Sequence, residues 1–119
     1  GARFIATNPD VSGPSQHGML PATGSVAALI STATGRQPYF IGKPNPLMLQ
    51  QLMREFGVEP ERTLMIGDTT HDLQLAANAG AASIAVSYGA HEPEAFAQYD
   101  TRLVAHSVVQ LHQWLNDHA

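Results

Sequence analysis

An α/β fold, a parallel sheet with helices on both faces, is the class this sequence predicts, and three observations predict it. Short β-prone apolar runs alternate with longer stretches of helical periodicity along the whole chain. Glycines at 35, 57 and 80 follow three of the helical stretches, where a left-handed stop is easiest. Charged residues stand just past two of the apolar runs: Lys43 after Tyr39-Phe40-Ile41-Gly42, and Asp68 after Leu64-Met65-Ile66-Gly67. Ligands of open parallel sheets gather at the carboxyl ends of the strands, so this placement fits the class.

The elements follow in order. Arg3-Phe4-Ile5-Ala6-Thr7 reads as a strand, broken by Asn8-Pro9-Asp10. Residues 11–21 are rich in Gly, Pro, Ser and His and read as a loop. A helix is expected over 22–34, with Val26, Leu29, Ile30 and Ala33 spaced to share a face. Residues 38–41 read as a strand, and 46–56 as a helix carrying Leu47, Leu49, Met53 and Phe56. Strands are expected at 63–66, 82–86 and 102–105. Helices are expected at 70–79, 93–99 and 107–117, the last docked through Leu111, Trp114 and Leu115. The result is about five strands alternating with five helices in one α/β domain over 1–119, without an internal repeat.

Composition narrows the function. The 119 residues amount to one ordinary domain, and 44% hydrophobic against 13% charged residues argues for a buried core rather than disorder. A net charge of −4 gives no basic footprint, so no nucleic-acid partner is expected. No apolar run reaches the ~20 residues that span a bilayer, so no membrane partner is expected and a cytoplasmic location is the default. The absence of cysteine excludes disulfides and thiolate metal sites.

Two clusters carry chemistry. Gly67-Asp68-Thr69-Thr70-His71-Asp72 sets an acid at a strand's end and a second acid inside the following helix start. Thr69 and Asp72 fit a plain capping box. Capping leaves Asp68 unexplained, and Asp is depleted in strands. A hard cation such as Mg²⁺ takes one or two carboxylates at about 2.1 Å, plus water and phosphate oxygens, so Asp68 is the expected metal ligand, with Asp72 behind it. Lys43 is the sole lysine. A lone lysine is most simply a solvated loop residue, but Gly42 and Pro44 aim this one from a strand's carboxyl end, with Pro44 fixing the start of the next helix. An ammonium there would screen phosphate charge. The six histidines have no metal-ligand spacing, and His71 is equally explained by exposure at a helix start.

With those residues in view, the chain resembles the haloacid dehalogenase (HAD) superfamily. Gly42-Lys43-Pro44-Asn45-Pro46 and Gly67-Asp68-Thr69-Thr70-His71-Asp72 look like its third and fourth motifs, and Ala76-Ala77-Asn78-Ala79-Gly80 fits the helix that follows. The resemblance implies a HAD-like, Rossmann-like fold and a Mg²⁺-dependent phosphatase of small phosphorylated metabolites. It implies that Lys43 steadies the phosphate and a phosphoaspartyl intermediate, that Asp68 binds Mg²⁺, and that Asp72 supports the metal site or the lysine. Thr7-Asn8-Pro9-Asp10 and Pro21-Ala22-Thr23-Gly24 are similar to the end of the large cap of the sugar-phosphate and nitrophenylphosphate branch, which makes Asn8 and Asp10 candidate substrate contacts. On this resemblance 1–42 corresponds to the end of a cap and 43–119 to the second half of the core. Residues 62–119, with Val86-Ser87-Tyr88-Gly89-Ala90-His91, look more like the phosphoglycolate phosphatase branch.

The family's Asp-x-Asp nucleophile motif does not occur; the aspartates are Asp10, Asp68, Asp72, Asp100 and Asp117. Asp10-Val11-Ser12-Gly13 is the nearest echo and lacks the second acid. The resemblance therefore implies a carboxy-terminal part of such an enzyme, or a hybrid of two branches, that needs a missing amino-terminal half or a homo-oligomer partner and has little activity alone. The alternative is a non-catalytic α/β domain that keeps only a metal- or phosphate-binding edge.

Overall fold

The computed structural model describes residues 1–118. Strand β1 (Ile5–Ala6) is followed by β2 (Ser12–Ser15), β3 (Gly18–Pro21), helix α1 (Thr23–Thr34) and β4 (Tyr39–Phe40). Helix α2 (Leu47–Phe56), β5 (Leu64–Gly67), α3 (Thr70–Ala79), β6 (Ala82–Val86), β7 (Leu103–Ala105) and α4 (Val108–His118) complete the order. Short 3-10 turns cover Pro60–Arg62 and Pro93–Phe96. The α/β class and the parallel pairing hold, and glycine closes α1, α2 and α3 in the left-handed conformation as expected.

The expected five-stranded sheet divides in two. β1 pairs in parallel with β4, and β5, β6 and β7 form a separate parallel sheet in that order. No ladder joins them among the described residues. The two-residue strands β1 and β4 pair as strands only with each other among the described residues. Residues 11–21, expected as a loop, form the antiparallel hairpin β2–β3. Turn chemistry holds it: Ser15 Oγ donates to Gly18 O at 2.7 Å, and Gly18 takes a φ of 116°. Its side chains are almost all exposed, so no hydrophobic alternation announces it. The helix expected over 93–99 is the single 3-10 turn at Pro93–Phe96.

The core is layered on β6, whose side chains alternate between faces. Ala85 packs with Leu73 of α3 and Phe96, while Ile84 and Val86 pack with Ala105 and with Leu111 and Trp114 of α4. The terminal helix is docked as its apolar spacing predicts. Parallel pairing of β5 with β6 puts their carboxyl ends together and leaves Asp68, just beyond β5, at that rim.

Candidate active site at the carboxyl edge

The site begins with how α3 starts. Thr69 is its N-cap, and the helix opens with a capping box: Thr69 N and Thr69 Oγ1 both donate to Asp72 Oδ2, at 3.1 and 2.6 Å. Gly67 makes the fold-back possible, since a Cβ there would collide with Asp72. The other carboxylate oxygen, Asp72 Oδ1, accepts from Lys43 Nζ at 2.7 Å. This is the one ion pair among the described residues, between a lysine side chain 50% exposed and an aspartate side chain 3% exposed. Asp72 thus both caps the helix and holds the lysine.

Burial pushes the Asp72 carboxyl up, but the Lys43 hydrogen bond, the Thr69 bonds and the Lys43 charge together outweigh it and hold the carboxyl below its usual range. A depressed folded-state value stabilises the fold above the ordinary carboxylate range, and that stability is lost as pH falls through the folded value. The chain's denaturation midpoint is therefore expected to drop as pH falls below about 4, with the drop reduced in Asp72→Asn. Urea titrations at stepped pH check this.

The loop that presents Lys43 is tied down by amides. Asn45 Nδ2 donates to Phe40 O at 2.7 Å, and Asn45 Oδ1 accepts from Leu47 N at 2.9 Å. From α3, Asn78 Nδ2 donates to Pro44 O at 2.8 Å. Helix α2 starts at Leu47, so Asn45, and not Pro44 as expected, supplies the side chain that meets its first turn. The Lys43–Pro44 peptide is cis.

Asp68 stands at the end of β5, held from the loop after β6. Ala90 N donates to Asp68 Oδ2 at 2.9 Å and His91 N to Asp68 O at 3.2 Å. Gly89 lets that loop approach, since a Cβ there would strike the Asp68 side chain. His91 Nδ1 accepts from Thr70 N at 3.2 Å, which satisfies a free donor of the α3 start.

A cavity of about 390 Å³ brings Asn8, Asp10 and Lys43 together with Thr69 and His71. Asp68 and Asp72 do not line it. His71 is exposed, its ring 6.4 Å from that of His91. Asn8 Oδ1 is buried without a hydrogen-bond partner among the described residues. Asn45, Asn78, Ala90 and His91 stand inside the stretches that carry the resemblance, but no role follows for them from sequence. Three of the four act through main-chain atoms or on them at long range.

A parallel α/β domain with a fixed ammonium and two acids at the strand carboxyl ends has the makings of an anion- and cation-binding edge. The HAD-hydrolase-like family profile matches residues 40–111, so the chain belongs to that family. It is 50% identical over 103 residues to a dihydroxyacetone phosphatase of Corynebacterium glutamicum, covering 86% of this chain and 38% of the relative. It is 37% identical to the 5'-nucleotidase YutF of Bacillus subtilis, over 97% of this chain and 45% of the relative. Among solved structures it matches a 4-nitrophenylphosphatase from Thermotoga maritima with a TM-score of 0.81 and 39% identity, covering 95% of this chain and 45% of that one. The chain spans less than half the length of each of these relatives. No helix of the described residues is long and apolar enough to cross a membrane.

Proposed function

We propose that this chain forms the charge-holding edge of a Mg²⁺-dependent HAD phosphatase that acts on small phosphorylated metabolites in the cytoplasm. The observation that carries the reading is the Lys43–Asp72 contact of 2.7 Å. A buried carboxylate, itself bonded twice by Thr69, orients a half-exposed ammonium at the rim of a cavity. That is how a point cation is set to receive a phosphate group. Relatives named as phosphatases support the chemistry. Asn8 and Asp10, on the same cavity, would meet the rest of the substrate. In this reading 1–42 is the end of a cap and 43–119 belongs to the core.

The donor set suits a hard cation held weakly. Both oxygens of Asp72 are engaged, so Asp68 is the carboxylate left to bind metal, and only one of its oxygens takes a protein hydrogen bond. Bound there, Mg²⁺ would neutralise charge on a transferring phosphoryl group. Inorganic phosphate titrated into the chain with Mg²⁺ present, followed by amide NMR, is expected to perturb Gly42, Lys43 and Thr69. Lys43→Met should weaken that binding at least tenfold. Affinity unchanged in Lys43→Met overturns the assignment of the lysine.

A further inference from the structure

We propose that a second anion site, at the opposite end of the sheet from Asp68, takes the phosphate group of a small molecule between Arg62 and Arg102, beside Trp114. The site is a cavity of about 310 Å³ whose lining includes Glu61, Arg62, Leu64, Arg102, Trp114 and His118. Leu64 opens β5, Ala82 on the same wall opens β6, and Arg102 immediately precedes β7. The cavity therefore sits at the amino ends of three parallel strands. Asp68 leaves the far end of β5, roughly 13 Å away at the rise of a strand.

The walls are fixed while the charges are left open. Arg62 N donates to Glu59 O at 3.0 Å in the 3-10 turn before β5, and Arg102 N donates to Ser83 O at 2.8 Å. Both arginines are exposed, and neither guanidinium has an ion-pair or hydrogen-bond partner among the described residues. Trp114 is partly buried where α4 packs on the Ile84, Val86 and Ala105 cluster. His118, one helical turn on, stacks on it with ring centroids 4.4 Å apart and planes 10° apart. Its Nδ1 lies 2.8 Å from Trp114 O and must be the donor, since a carbonyl only accepts, so Nε2 is left for a ligand.

The charge and the shape name the ligand class. The chain has six Lys and Arg against ten Asp and Glu, so two arginines in one cavity are a local excess on an anionic protein. Glu61 offsets one of them, and the carboxyl end of α4 adds about half a negative charge. The balance stays positive. With β6 between the strands they precede, the two arginine main chains stand about 10 Å apart, a gap that two long side chains can close on one phosphate. Guanidinium forks bind phosphate oxygens in pairs, which a lysine does not. A bare phosphate would leave most of the cavity unfilled, whereas Leu64 and Trp114 offer apolar surface to an organic body.

Trp114 is the sole tryptophan, so its emission reads the site directly. AMP titrated into the 119-residue chain without Mg²⁺ is expected to change that emission saturably and to shift the Ala82 and Arg102 amides in step with it, while adenosine does neither. Arg62→Gln and Arg102→Gln should each weaken the response at least fivefold, and Glu61→Gln should strengthen it, all three with the parent's thermal melt. A merely structural role for these exposed side chains would not move affinity in opposite directions. Inorganic phosphate titrated in parallel separates the sources. Binding weaker than that of AMP supports an organic phosphate as the ligand, and equal binding supports the site with free phosphate in it. The proposal is overturned if AMP changes neither the emission nor those amides, or if either arginine variant binds as the parent does. It is also overturned if only Gly42 and Lys43 shift, which would put the anion at the Asp68 rim.

Discussion

Lys43→Met should destabilise the chain at pH 7 by about 2–4 kcal/mol, somewhat less than the 3–5 of a fully buried pair, because the lysine is half exposed. The substitution leaves Asp72 charged, buried and short of its main partner. Asp72→Asn should cost less, about 1–2 kcal/mol, since asparagine keeps an oxygen for the helix cap and the freed ammonium regains water. The asymmetry is the signature of a carboxylate that needs its lysine more than the lysine needs it. Protonating Asp72 removes the unpaired charge, so the Lys43→Met penalty should shrink as pH falls below about 4. Equal penalties at pH 7, or a Lys43→Met penalty that does not change in acid, would show that the contact contributes nothing to the fold.

The isolated chain should hydrolyse 4-nitrophenyl phosphate more slowly than an intact phosphatase by on the order of 10⁶, the scale on which losing a nucleophile acts in a well-studied protease. Neither Asp68 nor Asp72 is free to attack in this arrangement. Both oxygens of Asp72 hold Lys43 and Thr69, and Asp68 takes Ala90 N on one oxygen and offers the other to the cation. Lys43 and a bound cation can only stabilise charge on the group being transferred, which leaves a residual rate and no covalent step. Asp10 is the residue that could reverse this outcome, because it lines the cavity with Lys43. Purified chain assayed beside Asp10→Asn and Asp68→Asn decides the matter. Fast Mg²⁺-dependent turnover abolished by Asp10→Asn would make Asp10 the nucleophile.

What the sequence made legible were the features written in side-chain periodicity and in charge. Apolar spacing placed α2 and α3 to within a residue or so, and Trp114 against the core. The isolated Lys43 and the acid pair marked the rim that the fold assembles. The division of the sheet was not legible, because strand propensity does not say which strand a neighbour pairs with. The β2–β3 hairpin was hidden for a related reason. It buries almost nothing, so its Gly, Pro and Ser residues read as loop. The scaffold of the site escaped because it is made of amide contacts between segments far apart in sequence, such as Asn78 to Pro44 and Ala90 to Asp68. Asp72 shows how one residue carries two readings at once: the local capping box and the ion pair with a lysine 29 positions away are both present.

Titration of the chain with Mg²⁺, in parallel with Asp68→Ala, decides whether Asp68 holds the cation. Amide NMR should show weak saturable binding, with the largest shifts at Asp68, Thr69 and Ala90, since one protein carboxylate among waters holds this reluctantly dehydrated ion poorly. Asp68→Ala should abolish those shifts while the rest of the spectrum keeps its folded dispersion. Mg²⁺ binding of the same strength in Asp68→Ala would move the cation away from the end of β5.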